Sequence, residues 1–411
     1  MLVALGFLAL ALSFSVRAVL GLVMPVWQAE LGWTRGFIAG GASTALVTMA
    51  AATPFAGAAV DRWGARPLLA GGLAAIAAAS AAVAAMDGPL VFLLAFGVVA
   101  ALGFAAVGTN VVGTAIAQAW TTGRGLATGI GTAGATAGQL ALVPAAAVMV
   151  AAGAWRAAFA ALAVGALALA VLSLLLVRDH RPASSRPSPR AGVAPSLPAD
   201  LGFLLGRPAF HLLFWSFAFC GFTTTGVIET HLLPFAAFCG FPPLPSAAAY
   251  GILSAVNLAG MVAAGWLSDR IHRPALLGGI YVARALAFAV LLAMPPDIAW
   301  LYVFAVLFGL FDYSTVPVTI SLVASHLGMR RLGLASGLVS AGHALGGAAG
   351  AFAGGRLFDL FAGYAEIWSA SLALALLAGL LSFALRHTRE VPESASRMGR
   401  RAACAVRTVM D

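Results

Sequence analysis

The sequence predicts an all-α integral membrane protein with twelve transmembrane helices in two six-helix bundles. Three observations carry that expectation. Apolar runs long enough to cross a bilayer recur along the whole chain, the arginines fall almost entirely on alternate connections, and the second half repeats landmarks of the first at one fixed spacing.

Of 411 residues 62% are hydrophobic and only 9% charged, and mean hydropathy is +0.98. A soluble surface needs about a quarter of its residues charged, so this composition excludes a soluble domain. The apolar runs last about twenty residues, the length at which a helix crosses roughly 30 Å of hydrocarbon. A β-barrel would show short alternating segments instead of these Ala/Leu/Gly/Val runs. Residues 2–26 have no basic n-region and no A-x-A site, and are expected to form the first span. Cys220, Cys239 and Cys404 show neither a paired framework nor metal-ligand spacing and imply reduced thiols.

All 23 basic residues are arginine. With the N-terminus inside, the loops that become cytoplasmic carry Arg62, Arg66, Arg124, Arg270, Arg273, Arg330 and Arg331, and also the arginines of 178–207 and those beyond 385. The other side holds only Arg35, Arg156 and Arg356. This positive-inside bias places both termini in the cytoplasm and requires an even number of spans. The same placement argues against nucleic acid as the partner of a chain with pI near 10.6. The long connection at 178–207, rich in Arg, Pro and Ser, is expected to be a mobile linker. The expected units are therefore a bundle over 1–178, a linker over 179–207, a second bundle over 208–386 and a cytoplasmic tail over 387–411.

Gly57, Asp61 and Arg62 recur as Gly265, Asp269 and Arg270, an offset of 269 − 61 = 208 residues. The same offset carries Leu126, Ala127, Gly129 and Gly134 onto Leu334, Ala335, Gly337 and Gly342. Unrelated segments sharing one offset argue for a duplicated half.

The loop G57-A-A-V-D61-R62-W-G-A-R66 resembles the G-x-x-x-D-R-x-G-x-R signature of the major facilitator superfamily, with its degenerate copy where that family expects it. F-S-V-R-A-V-L-G-L-V-M-P near the start, A-W-R at 154–156 and G-F-T-T-T-G-V-I-E-T-H-L-L-P in the seventh span are similar to bacterial relatives of monocarboxylate transporters and oxalate/formate antiporters. The resemblance implies a monomeric secondary transporter of the bacterial plasma membrane that carries a small organic anion by alternating access, with protons or by exchange. Drug or metabolite efflux on the same fold stays open, as does a transport-inactive receptor. The chain departs from the animal carriers in its eighth span, where residues 247–268 offer only Asn257 in place of an acid and a base.

Asp61 and Asp269 close spans 2 and 8, beside the starts of spans 11 and 5. Each carboxylate can cap a positive helix N-terminus there, so Gly57, Asp61, Arg62, Arg66, Asp269 and Arg270 form a candidate conformational latch. Their alternative is plain interfacial charge.

A charge inside a span costs roughly 2.5–3.5 kcal/mol on insertion scales and marks a cavity or a partner. Arg17, midway along span 1, offers paired planar donors to a carboxylate substrate, or else pairs with Glu229. Arg284 and Asp312, central in spans 9 and 10, are a candidate charge pair, with Asp312 also a candidate proton carrier. Glu229 and His231 lie toward the outer part of span 7 and either couple protons or snorkel. His343, Asn110, Gln139 and Asn257 are candidate substrate contacts whose alternative is helix packing. No metal spacing, nucleophile elbow, G-K-[ST] loop or cofactor motif is found, which argues against an enzyme and against an ATP-driven pump.

Overall fold

The computed structural model describes residues 1–177, 197–295, 297–388 and 390. Among them twelve helices are long and apolar enough to cross a membrane. Spans 1 to 6 are Leu2–Glu30, Phe37–Trp63, Ala65–Ala84, Pro89–Ala119, Arg124–Ala151 and Trp155–Leu176. Spans 7 to 12 are Pro208–Phe238, Pro245–Ser268, Arg273–Leu292, Ile298–Leu327, Met329–Phe361 and Ala365–His387. Span 1 runs past Pro25, which sits inside the helix.

The packing repeats with the sequence. Span 1 lies on span 5, span 2 on span 4 and span 3 on span 6; six spans later, 7 lies on 11, 8 on 10 and 9 on 12. Spans 2 and 11, and spans 5 and 8, join the two bundles, and each of these contacts is the counterpart of the other.

Four of the long helices are interrupted along their length, span 5 at Ala133 between Arg124–Thr132 and Gly134–Ala151. Span 4 contains a π-turn at Ala95–Ala100 and span 7 another at Phe222–Ile228. Span 10 is broken between Phe311 and Thr315, so Asp312, Tyr313 and Ser314 lie outside regular helix. Such breaks free backbone groups, and they persist only where neighbouring groups satisfy them.

Each bundle closes with its own aromatic cluster at the end opposite the Asp61 and Asp269 loops. Trp27 meets Trp33, Phe92 and Trp155 edge-on at 5.2–5.7 Å between ring centroids, and Trp155 donates to Glu30 at 2.7 Å. Tyr364 and Trp368 gather Phe235, Phe238 and Phe358 in the second bundle. Amphipathic rings at a membrane interface give each bundle a rigid cap of its own. Arg156 adds to the first cap by donating to the Ala84 and Met86 carbonyl oxygens, which would otherwise lack partners at the end of span 3.

One expectation is corrected. The connection expected to be mobile over 178–207 contains a helix at Leu197–Leu205. Leu204 is fully buried, Phe203 lies beneath the guanidinium groups of Arg331 and Arg207, and Asp200 bridges Arg331 at 2.5 Å and Arg330 at 3.0 Å. The rest of that connection, the tail from 391 and Cys404 lie outside the described residues.

Candidate functional site

At the arginine-rich face the bundles are held by two matching contacts. The Gly333 and Leu334 amides, at the start of span 11, donate to the two carboxylate oxygens of Asp61, each at 2.9 Å. The Gly125 and Leu126 amides of span 5 donate to Asp269 at 2.8 and 3.0 Å. Each acid therefore satisfies two orphan N–H groups and meets the positive end of a helix dipole in the other bundle. Gln118 adds a 2.8 Å donor to Asp61.

Glycine makes this approach possible. A methyl at Gly57 would strike the Gly333 carbonyl, and one at Gly265 would strike that of Gly125. Of the latch arginines, Arg62 and Arg66 are exposed, Arg62 lies by Trp63, and Arg270 lies over Trp266 and donates to its carbonyl at 3.3 Å. The capping is thus done by the acids, and the arginines remain at the surface.

Inside the second bundle the π-turn of span 7 presents Thr223 and Thr224 toward spans 9 and 10. Arg284 is fully buried there and lies 3.5 Å from Asp312. Its guanidinium also donates to Cys220 Sγ at 2.8 Å, to Thr223 at 3.2 Å and to Thr224, and its Cζ sits 5.0 Å from the centre of the Phe308 ring. Thr224 in turn donates to Asp312 at 2.8 Å. A buried ion pair survives when its remaining donors and acceptors are taken, and here most of them are, although Arg284 Nε has no partner among the described residues. Cys220 and Cys239 are free thiols.

A second group of polar side chains lies along the seam between the bundles. Asn257 donates to Thr136 of the first bundle at 3.4 Å and accepts from the Tyr313 backbone N–H at 3.1 Å, which ties the span 10 break in place. Its amide is spent on that bridge. Tyr313 then donates through its hydroxyl to Glu229 at 2.8 Å. Arg17 is half-buried midway along span 1. Its guanidinium rests 4.6 Å from the centre of its own neighbour Phe14, and among the described residues it has no ion pair and no hydrogen bond. The direct Arg17–Glu229 pair left open by the sequence is therefore not formed in this structure.

The other candidates separate by burial. His231 is buried, its Nε2 lies 3.1 Å from the Ala351 carbonyl, and its ring fills the notch at Gly354 of span 11. That is a packing position beside Tyr364 of the second bundle's aromatic cap, with the rings 6.2 Å apart. His343 is half-buried, with its ring 4.7 Å from that of Phe217. Gln139 is half-buried in span 5, without a hydrogen bond among the described residues. Asn110 is buried beside a small cavity between spans 4, 7, 10 and 11 that Thr319, Ser336 and Ser340 also line. Asn110 Nδ2, Thr319 Oγ1 and Ser336 Oγ have no partner there.

Sequence reasoning missed Tyr313, Cys220, Thr223, Thr224 and Gln118. A signal existed for the first: D-Y-S-T-V-P places helix-weakening Asp and Ser just before a proline in a span whose middle should be apolar. The others act only through neighbours that no local pattern announces.

The comparisons agree with this architecture. A profile of the Major Facilitator Superfamily matches residues 6–311 and 264–408. An uncharacterized MFS-type transporter of Bacillus subtilis, YcxA, is 27% identical over 80% of this chain and 81% of its own length. Human monocarboxylate transporter 11 is 28% identical over 85% of this chain and 74% of its own. Among solved structures, the proton:xylose symporter XylE superposes with a TM-score of 0.74 at 14% identity, covering 95% of each chain. The human organic anion transporter MFSD10 gives 0.73 at 17% identity, covering 93% of this chain and 98% of its own. With most of the chain matched, twelve spans in two related bundles and the D-R loops capping across them, the chain belongs to the Major Facilitator Superfamily, a family of membrane transporters for small molecules rather than enzymes.

Proposed function

We propose that the chain carries a small organic anion, a monocarboxylate, by alternating access through the seam between its bundles, as a monomer in a bacterial plasma membrane with both termini cytoplasmic. The observation that carries this reading is Arg17. An arginine midway along a span is costly unless something completes it, and Arg17 is the accessible intramembrane arginine that the described residues leave uncompensated. Its paired planar donors match a carboxylate. Similarity to a monocarboxylate transporter and to a structure described as an organic anion transporter supports the same class.

In the conformation seen, the capped acids hold the arginine-rich face together, while the aromatic clusters at the other end stay within their own bundles. That arrangement suits a carrier open away from the cytoplasm, with Asp61 and Asp269 as the inner latch. The saturated surroundings of Arg284 and Asp312 favour a structural charge pair over a proton carrier.

The test is a thermal-shift screen of purified protein against small carboxylates, inorganic anions, sugars and drugs, followed by counterflow of any hit in liposomes. A ligand at 100 times its Kd should stabilise by roughly 2.7 kcal/mol. No response to carboxylates would overturn the substrate class, and binding without counterflow would identify a receptor instead of a carrier. Cysteines introduced at Ser188 and Ser394 should resist an impermeant thiol reagent in intact cells; labelling of either would reverse the orientation.

A further inference from the structure

We infer that an ordered water molecule, held by Asn110, Thr319 and Ser336, joins the two bundles beside the Asp61 latch. The site itself needs no assumption about cargo; its part in closing the seam rests on the alternating-access reading above.

Three buried side chains from three spans line one small cavity: Asn110 of span 4 in the first bundle, and Thr319 of span 10 and Ser336 of span 11 in the second. Each is at most 4% exposed. Asn110 Nδ2, Thr319 Oγ1 and Ser336 Oγ have no hydrogen-bond partner among the described residues. Leaving one such group dry costs more than an ordinary hydrogen bond contributes. Three of them around one space call for a common partner.

Size and chemistry choose that partner. The cavity measures about 10 Å³, at the low end of the roughly 10–15 Å³ that one water needs. An organic cargo does not fit. No charged residue lines the cavity, so an anion would find no counter-charge there and a metal ion no carboxylate, and the Asn110 amide N–H groups would repel a cation. Water accepts from Asn110 and either donates to or accepts from the two hydroxyls, which makes the three hydrogen bonds typical of a buried water.

The position gives the water a mechanical role. Ser336 lies two residues past Leu334, whose amide caps Asp61, and Asn110 lies on the same helix as Gln118, which donates to Asp61. Span 4 presses on span 10 so closely here that a methyl at Gly113 would strike Ile320, another wall of the cavity. Moving the bundles apart at this face would divide the three partners between separating walls. The water therefore binds the closed face and not the open one, and a ligand with that difference shifts the equilibrium toward closure.

A structure of the purified full chain at a resolution that shows waters should place density within hydrogen-bond distance of all three atoms. The three side chains bonded directly to one another, or a cavity without density, would overturn the site. Pulsed spin-label distances test its role. Labels are attached to cysteines introduced at Thr121 and His272, exposed residues of the two bundles on the arginine-rich face, in a chain carrying Cys239→Ser and Cys404→Ser. Thr319→Val and Ser336→Ala should each lower the ratio of closed to open distances about three- to tenfold, the scale of one net hydrogen bond. In a dry cavity the same changes remove unpaired hydroxyls and raise the ratio, so the sign decides. Ser371→Ala removes an unpartnered hydroxyl within span 12 and should leave the ratio unchanged. A raised or unmoved ratio in Thr319→Val and Ser336→Ala overturns the bridge even where density is seen. A single distance in the native chain and in every variant, with the water seen, removes the alternating-access reading and leaves the site.

Discussion

The two arginines within the membrane, Arg284 and Arg17, carry the same charge at similar depth and are treated in opposite ways. Arg284 is fully buried and meets a carboxylate, a thiol, two hydroxyls and an aromatic face. Arg17 is half-buried and meets a single ring on its own helix. The difference separates a charge retained for architecture from one left open for a ligand. It also shows why an intramembrane charge alone does not mark a site: the neighbours decide which kind it is.

The largest effect should come from breaking the satisfied arginine. Arg284→Met leaves Asp312 buried beside uncompensated hydroxyls and should destabilise by about 3–5 kcal/mol, enough to abolish folded protein. Adding Asp312→Leu should restore much of the thermal stability, because it removes the stranded charge. Equal stability of the single and double variants would show that the pair is not a unit. Arg17→Gln should behave in the reverse sense, with melting temperature within the shift expected of about 1 kcal/mol and anion uptake lost, and Arg17→Lys should fall between. Unfolding of Arg17→Gln would move Arg17 into the structural class and erase the contrast.

The latches sharpen a second contrast, between contacts within a bundle and contacts across the seam. Asp61→Asn and Asp269→Asn each weaken a charge–dipole contact of about 1 kcal/mol present in only one conformation. Each should shift accessibility of cysteines near the arginine-rich face several-fold while leaving stability nearly unchanged. Asp61 and Asp269 reduced to topological charges would show neither change. The smallest effect is expected at Asp200, whose ion pairs with Arg330 and Arg331 are partly exposed and lie within one bundle: Asp200→Ala should cost about 0–1 kcal/mol in melting experiments and leave accessibility at the latch unaltered.

The spans, the two-bundle division and the positions of Asp61 and Asp269 were legible because the bilayer imposes length, the duplication imposes an offset, and a helix terminus attracts an acid wherever the chain delivers one. The site was less legible. Arg17 announced itself by its cost, but whether Glu229 neutralised it depended on where Tyr313 stood, and that depends on the break in span 10 and on the Asn257 bridge. The helix at Leu197–Leu205 was hidden by the Arg/Pro/Ser composition of the connection as a whole, although Asp200 in its first turn and the apolar run from Leu201 to Leu205 were local signs of it.

The π-turn at Phe222–Ile228 gives span 7 a winding register that differs on its two sides. Residues before it face the packing of Phe217 and Cys220, while Glu229 after it faces the seam. Closing this stretch to an ordinary α-helix at unchanged length would turn everything beyond it by about 100°, one residue's share of a turn. Glu229 would then leave Tyr313 and His231 would leave its notch at Gly354, with no side chain replaced. Closing or opening this turn thus offers a route by which a carrier of this architecture can re-aim one wall of its seam while its latches stay as they are, at the cost of repacking Phe235 and Phe238 in the cap.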